Sequence, residues 1–159
     1  MDLVIRRAVS DDVEALALLY VAFHNFHARG VPSRLQPVAG VDDRLRDAVR
    51  AILADDQAAV FVACVDGAVT GFAEVYRQEA KADPAVVSRT YGHLQSLMVA
   101  EPARRQGLGA RLMEAVHQWA GENGLPELEL DIWEFDEGPL EFYQSLGYTT
   151  MRRQLVAKL

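Results

Sequence analysis

A strand-like run, a loop with arginines and glycines, and an amphipathic helix follow one another directly between residues 93 and 119. The run HLQSLMV (93–99) is apolar and β-like, and the loop that follows it contains Gly107 and Gly109. Beyond the loop, apolar residues recur at helical spacing: Leu108, Leu112, Ala115, Val116 and Trp119. A chain that turns from strand to helix within one loop is typical of a mixed α/β fold, because the helix packs back on the sheet.

The rest of the chain continues this alternation of strands and helices. Hydrophobic periodicity and turn residues predict strands at 3–8, 127–133 and 148–159, a hairpin at 58–78, helices from Val13, at 42–55 and at 139–147, and loops at 27–40 and 79–89. Asp66-Gly67 marks the hairpin turn. No internal repeat, low-complexity tract or linker interrupts residues 1–159, so we expect a single α/β domain.

Composition excludes several classes of function. The formal net charge of −7 disfavours nucleic-acid binding, which depends on basic side chains that neutralise phosphates. The sequence has no apolar run of membrane-spanning length and no signal-peptide layout, so we expect a cytoplasmic protein without a membrane partner. The single cysteine, Cys64, excludes an internal disulfide and a zinc–cysteine cluster, and the histidines lack the spacing of a metal site, so no metal is predicted.

The loop at 101–113 has the properties of an anion-binding corner. The start of a helix presents unpaired N–H groups and the positive end of the helix dipole, and glycines let a ligand approach the backbone. We expect the amides of Gln106 to Ala110 to contribute most, reinforced by Arg104 and Arg105. The glycines could instead serve only to turn the chain. A phosphate-binding P-loop is excluded because no Gly-Lys-Ser/Thr follows, and a dinucleotide fingerprint is disfavoured because Leu112 replaces its third glycine.

Two motifs in register resemble those of the GNAT N-acetyltransferase superfamily. LMVAEPARRQGLGARLM resembles the family's acyl-CoA signature, with Arg104-x-x-Gly107-x-Gly109 opening a helix. FDEGPLEFYQSLGY (135–148) resembles a second motif that closes the same site, although Asp136, Pro139 and Tyr148 stand where the family usually has Asn, Ala and Phe. The order of elements is also similar over nearly the whole chain, with two helices between the first two strands.

The resemblance implies a central mixed, mostly antiparallel sheet flanked by helices. It also implies an N-acetyltransferase that moves an acetyl group from acetyl-CoA directly to a primary amine of a small molecule or peptide. A non-catalytic acyl-CoA-binding or regulatory module on the same fold is the alternative. The residues expected to bind the cofactor are Leu97, Met98, Val99, Arg104, Arg105, Gln106, Gly107, Leu108, Gly109, Ala110, Asp136 and Tyr143.

The resemblance also points to catalytic candidates. Tyr143 matches the tyrosine that in many members returns a proton to the departing thiolate. His93 and Glu74 are candidates for accepting the proton of the amine, with ordered water as the alternative, and Glu79 is a further carboxylate nearby in sequence. Period-two alternation predicts that His93, Gln95, Leu97 and Val99 share one face of their strand.

The sequence does not identify the amine acceptor. The family usually shapes the acceptor pocket around the loop after the first helix, where His24, His27 and Arg29 lie, and this makes them candidate substrate contacts. The acidic balance favours a cationic small amine, polyamine or peptide N-terminus. The resemblance also allows a homodimer, since dimers are frequent in the family.

Overall fold

A five-stranded sheet, described by a computed structural model over residues 2–135 and 139–159, forms the centre of the protein. Its strands follow chain order: β1 (Leu3–Arg7), β2 (Ala58–Val65), β3 (Ala68–Ala80), β4 (Arg89–Val99) and β5 (Leu128–Leu130). Neighbouring strands are antiparallel except β4 and β5, which run parallel. The sheet is therefore mixed and mostly antiparallel, which confirms the predicted fold class.

Four α-helices among the described residues cover the two faces of the sheet: α1 (Val13–Gly30), α2 (Asp43–Leu53), α3 (Leu108–Glu122) and α4 (Leu140–Ser145). One apolar core joins α1 and α2 to one sheet face through residues such as Leu16, Val49 and Phe72. The other core joins α3 and α4 to the opposite face, with Leu112 and Val75 at its centre. Strand β2 is buried on both faces, so it needs an uninterrupted apolar run in place of alternation.

The hairpin between β2 and β3 forms as the sequence predicts. Asp66 and Gly67 both adopt positive φ, at 49° and 83°. Two positive φ values at the centre of a two-residue loop define a type I′ turn, whose twist matches that of the flanking strands. Local turn chemistry therefore sets the register of the central β2–β3 pair.

Several element bounds differ from the prediction because tertiary pairing extends or shortens them. Helix α1 continues to Gly30, and β3 and β4 extend into residues 79–89, which were predicted as a loop. The predicted strand at 148–159 is wrong: these residues form no strand, and 149–159 are exposed. Alternation alone does not make a strand, because its backbone needs a hydrogen-bonded partner edge, and 148–159 pair with no described strand.

A membrane-crossing helix would need a long apolar stretch, and none of the helices in the described residues has one.

An ion pair between an exposed arginine and a buried aspartate ties the first strand to the start of the first helix. Arg6 on β1 donates from Nη1 and Nη2 to the two carboxylate oxygens of Asp12, at 2.7 and 2.9 Å. The backbone N–H of Val9 donates to the same carboxylate at 2.8 Å. These bonds from Arg6 and Val9 hold the pKa of Asp12 below its ordinary value of 3.8. The pair therefore stabilises the fold only while Asp12 is ionised.

We predict that Asp12→Asn lowers the free energy of unfolding by about 2 kcal/mol at pH 7, because it removes charge-assisted hydrogen bonds. Folding lowers the pKa of Asp12, so the ion pair stabilises the folded state fully at a pH above the pKa that Asp12 has in the unfolded chain. This stabilisation is lost as the pH falls through the pKa that Asp12 has in the folded protein. Urea unfolding at pH 7 and at pH 3 should therefore show a smaller difference between variant and wild type at pH 3. The exposed neighbour provides a matched control, since Asp11→Asn should change stability little at either pH.

Candidate active site

A gap opens in the sheet between the last two strands. Within the described residues, β5 pairs with β4 only where Leu128–Leu130 face Gly92, His93 and Leu94. Beyond that point a cavity of about 160 Å³ separates residues 95–99 from residues 130–132, and Tyr143 and Arg104 complete its wall. The early end of strand pairing therefore creates a slot bordered by free strand backbone.

The backbone of β4 presents hydrogen-bonding groups to this slot. The N–H of Ala100 donates to the carbonyl of Thr70, so the alternate residues Met98 and Ser96 also direct their backbone groups towards β3. The groups of Leu97 and Val99 consequently point away from β3, into the slot. Among them, the carbonyl of Val99 accepts a hydrogen bond from Nε of Arg104 at 2.9 Å. The slot is thus lined with amide groups suited to a ligand that itself contains amides.

A bulge at Gln95 changes which side chains of β4 lie on the same face of the sheet. Glu74 pairs with Ser96 and Val75 pairs with Leu94, which leaves Gln95 as an extra residue without an opposite partner. The extra residue reverses the alternation of side chains. His93 therefore shares the face of its partner Tyr76, whereas Leu97 and Val99 lie on the opposite face, and the prediction of one common face is wrong.

The loop after β4 exposes the N-terminus of α3. Arg105 and Gly107 both adopt positive φ, at 62° and 79°, and α3 starts at Leu108 without a side-chain cap. The first bond of the helix runs from the N–H of Arg111 to the carbonyl of Gly107. In the described part of the chain, no group accepts from the N–H groups of Leu108, Gly109 or Ala110. These free donors and the helix dipole form a site for an anion such as a pyrophosphate.

The two adjacent arginines of this loop have different roles. Arg104 folds back over the slot, where its guanidinium lies 5.4 Å from the centre of the Phe26 ring on α1. Arg105 is exposed beside the helix start. One arginine therefore borders the slot, and the other adds charge at the anion corner.

Tyr143 on α4 lines the slot from the opposite side. Its side chain is buried against Phe142 and Tyr148, with ring centroids 5.2 and 5.7 Å away. Burial raises the pKa of Tyr143, so the phenol keeps its proton at neutral pH. Tyr148 is in turn hydrogen-bonded to Nε2 of His117 on α3 at 2.8 Å, and burial raises the pKa of Tyr148 to about 12. A protonated phenol in the slot is placed to act as an acid.

A second, larger cavity of about 680 Å³ lies under α1 and α2 and contains a buried carboxylate. Glu74 accepts hydrogen bonds from the hydroxyls of Tyr20 at 2.8 Å, Tyr76 at 2.6 Å and Ser96 at 3.0 Å. Burial, together with the charge of Glu74, raises the pKa of both tyrosines, which therefore remain donors. No Lys or Arg among the described residues forms an ion pair with Glu74. The cavity thus holds a negative charge balanced only by neutral hydroxyls.

The two cavities meet. Phe23, Gln95 and Ser96 line both of them, so the bulge in β4 lies at the junction. The slot offers backbone amides and a phenol, and the larger cavity offers a carboxylate. The arrangement is suited to two ligands, one with an anionic group for the start of α3 and one with a cationic group for Glu74.

Comparison with known proteins decides the family. The model of the acetyltransferase (GNAT) family matches residues 32–148, which is most of the chain. The chain belongs to the GNAT acetyltransferase family.

Relatives and solved structures agree with this family. The chain is 34% identical over 127 residues to an aminoglycoside N(6')-acetyltransferase type 1 of Serratia marcescens, a match that covers 75% of this chain and 81% of the relative. A mutant of the BH1408 protein of Bacillus halodurans has a similar fold, with a TM-score of 0.90, 20% identity and coverage of 98% and 99% of the two chains. AAC(6')-Iy in complex with a CoA-S-monomethyl-acetylneamine bisubstrate analogue has a TM-score of 0.71 at 21% identity, with coverage of 100% and 99%.

The GNAT fold brings most of the predicted cofactor residues together. Leu97, Met98, Val99, Arg104 and Tyr143 line the slot. Arg105, Gln106, Gly107, Leu108, Gly109 and Ala110 form the corner at the start of α3. Asp136 lies outside the described residues. Binding of the cofactor by these residues stays a prediction.

The structure separates the remaining catalytic and substrate-contact candidates from one another. Glu74 and His24 line the larger cavity, whereas His27 lines the slot with the cofactor candidates. His93 lines neither cavity, and its role as proton acceptor stays a prediction. Glu79 is exposed and lies 3.7 Å from Arg77. Arg29 is an exposed residue of α1.

Sequence reasoning missed the hydroxyl groups around Glu74. Tyr20 lies 54 positions away and Ser96 lies 22 positions away, so no local pattern links either residue to Glu74. Tyr76 is two positions from Glu74 on β3 and therefore shares its face. This two-residue spacing was the one sequence signal that could have linked a hydroxyl group to Glu74.

We predict that Gly107→Ala destabilises this GNAT domain by about 1–2 kcal/mol, because an L side chain disfavours the left-handed conformation that Gly107 adopts. The space around the site is open, so no clash contributes to the loss. Gly121 on α3 is a matched control with similarly open space but no positive φ. Gly121→Ala should be neutral or stabilising by up to about 1 kcal/mol. Thermal unfolding of the two variants measures the contrast, and equal losses would contradict the conformational explanation.

Proposed function

We propose that this protein is an N-acetyltransferase that moves the acetyl group of acetyl-CoA to a primary amine, by direct transfer while both substrates are bound. One observation carries the proposal: the slot with Tyr143 meets the cavity with Glu74 at Phe23, Gln95 and Ser96. Relatives named aminoglycoside N(6')-acetyltransferases support an amine acceptor. The similar structure that contains a CoA bisubstrate analogue supports the donor.

The donor fits the slot and the corner chemically. Acetyl-CoA supplies an activated acetyl thioester, a pantetheine arm with two amides, and a pyrophosphate. The backbone groups of Leu97 and Val99 would hydrogen-bond the arm, and the N-terminal amides of α3 would hold the pyrophosphate, with added charge from Arg105. The slot also excludes bulk water from Tyr143, which is buried in its wall.

The acceptor fits the larger cavity. A volume of about 680 Å³ is in the range of pockets for small organic molecules. A buried carboxylate without a cationic partner attracts a cation, because the pair lowers the cost of burying the charge. Glu74 would therefore hold the ammonium group of a cationic amine, and an amino sugar is one acceptor class that the names of the relatives suggest.

Tyr143 would complete the reaction as a general acid. The raised pKa keeps the phenol protonated, so a proton is available beside the sulfur when the thiolate departs. The phenol lies in the slot wall next to the β4 backbone groups, so the same side of the site holds the donor and supplies the proton.

A panel of amines tests the proposal. Purified protein is incubated with acetyl-CoA and individual amino sugars, polyamines and peptides, while a thiol reagent measures CoA release and mass spectrometry identifies the product. We expect acetylation of at least one cationic amine. Calorimetric binding of acetyl-CoA without turnover on any amine would contradict the enzyme and favour a non-catalytic acyl-CoA-binding module.

We predict that Tyr143→Phe lowers kcat about 100-fold, because the thiolate loses its proton donor. The affinity for CoA should change little, since the ring still fills the slot wall. Steady-state kinetics and CoA calorimetry separate the two effects. Tyr91→Phe is a matched control, because Tyr91 lies on β4 under Arg89 and lines neither cavity. An unchanged kcat in Tyr143→Phe would refute the acid role.

We predict that Glu74→Gln raises the KM of a cationic acceptor about tenfold or more, because a charged hydrogen-bond partner is replaced by a neutral one. The KM of acetyl-CoA should stay the same, since Glu74 lines only the larger cavity. Glu79→Gln removes an equal charge from the same strand outside both cavities and serves as the control. Equal effects of the two substitutions would show that net charge alone attracts the acceptor.

A further inference from the structure

His27 presents an imidazole of defined tautomer to the slot. Its Nδ1 lies 2.8 Å from the backbone carbonyl of Phe23, one turn earlier on α1. A carbonyl oxygen only accepts hydrogen bonds, so Nδ1 carries the proton of the neutral ring and donates it. The lone pair is then on Nε2, which has no hydrogen-bond partner among residues 2–135 and 139–159. His27 is one of the residues that line the slot.

Aromatic neighbours hold this ring in place. The ring centroids of Phe23, Phe26 and Phe135 lie 4.4, 5.5 and 6.2 Å from that of His27. Phe135 can pack here because the last residue of α1 is glycine: a Cβ on Gly30 would lie 2.6 Å from the Phe135 ring. An imidazole fixed by one hydrogen bond and three rings is preorganised to accept a proton in one direction.

Glu74, the other basic group at the junction, is less suited to that task. Its two oxygens already accept hydrogen bonds from three hydroxyl groups, those of Tyr20, Tyr76 and Ser96. Glu74 also lines only the acceptor cavity, whereas His27 shares the slot with Tyr143 and the β4 backbone. Phe23 packs on His27 and lines both cavities, so the histidine stands next to the junction.

We propose that Nε2 of His27 takes the proton that the acceptor ammonium must lose before it reacts, an inference that rests on the proposed function. The freed amine nitrogen then bonds to the acetyl carbon, and the carbon–sulfur bond breaks. The phenol of Tyr143 gives its proton to the sulfur, and the second surplus proton of the nitrogen returns to the tyrosinate. The imidazolium of His27 releases its proton to solvent, which balances the reaction.

The tautomer can be measured without any substrate. In long-range ¹H–¹⁵N correlation spectra of the wild-type protein above neutral pH, His27 should show a protonated Nδ1 and an unprotonated Nε2. Assignment is made by comparison with His27→Gln. The opposite tautomer, with the proton on Nε2, would overturn the inference because the lone pair would then be committed to Nδ1.

Kinetics test the catalytic step. His27→Gln should lower kcat/KM for the acceptor about 100-fold near neutral pH. In the wild type, kcat/KM should fall on the acid side as His27 becomes protonated, and this limb should be absent from the variant. Among residues 2–135 and 139–159, the other ionisable groups that line the slot are Arg104, Asp131 and Tyr143, and all of them remain in the variant. CoA affinity, measured by calorimetry, should be unchanged within about twofold, and thermal unfolding checks that the variant folds.

Controls separate this inference from the function on which it rests. His24→Gln is the matched control, because His24 also bonds a backbone carbonyl, that of Gln36 at 2.7 Å, but lines only the acceptor cavity. It should keep the acid limb. A His27→Gln profile with the wild-type limb, or a loss of CoA binding that accounts for the loss of rate, would overturn the role of His27 alone. Wild-type protein that acetylates no amine would instead refute the proposed function, and the spectra would still report the tautomer.

Discussion

The early end of pairing between β4 and β5 is the constraint on which the rest of the site depends. In the part of the chain that the structure describes, these strands pair at only three positions, and beyond Leu94 the β4 backbone faces a cavity. Free strand amides are costly unless a partner satisfies them. In the proposed function the partner is the donor substrate, so an interruption that would weaken an ordinary sheet becomes the proposed binding surface. Tyr143 lines the slot, and the loop that leads to the exposed start of α3 contributes Arg104 to its wall, so the roles proposed for both follow from this interruption.

The cavity proposed for the acceptor depends on a different feature, a buried carboxylate without a cationic partner among the described residues. Glu74 is buried with three hydroxyl donors and without a cation among the described residues, so its cavity keeps a net negative character. The bulge at Gln95 connects the two halves, because it directs Ser96 towards Glu74 while Leu97 continues along the slot. One extra residue in a strand thus lies between the amide-lined slot and the cavity that contains the buried carboxylate of Glu74. The proposed proton-transfer groups, His27 and Tyr143, both line the slot beside that junction.

Features governed by neighbouring residues could be predicted from the sequence. The Asp66-Gly67 turn, the glycine-containing corner before Leu108 and the apolar stripe of α3 all depend on local backbone preferences or on helical period. Features governed by distant partners could not. The predicted strand at 148–159 failed because alternation does not supply a partner edge. The predicted common face of His93 and Leu97 failed because a bulge is set by the register with β3.

The sequence by itself determined the family and the anion corner, since both depend on short motifs whose residues act through their own backbone. Only the tertiary structure decided which side chains share a cavity. It grouped Glu74 with Tyr20 and Ser96 and placed His27 in the slot with Tyr143. The physical reason is that the hydrogen-bonded register of a sheet decides which residues of different strands lie side by side. The packing of a helix on the sheet decides which of its residues faces each cavity. Both depend on contacts between residues far apart in the chain.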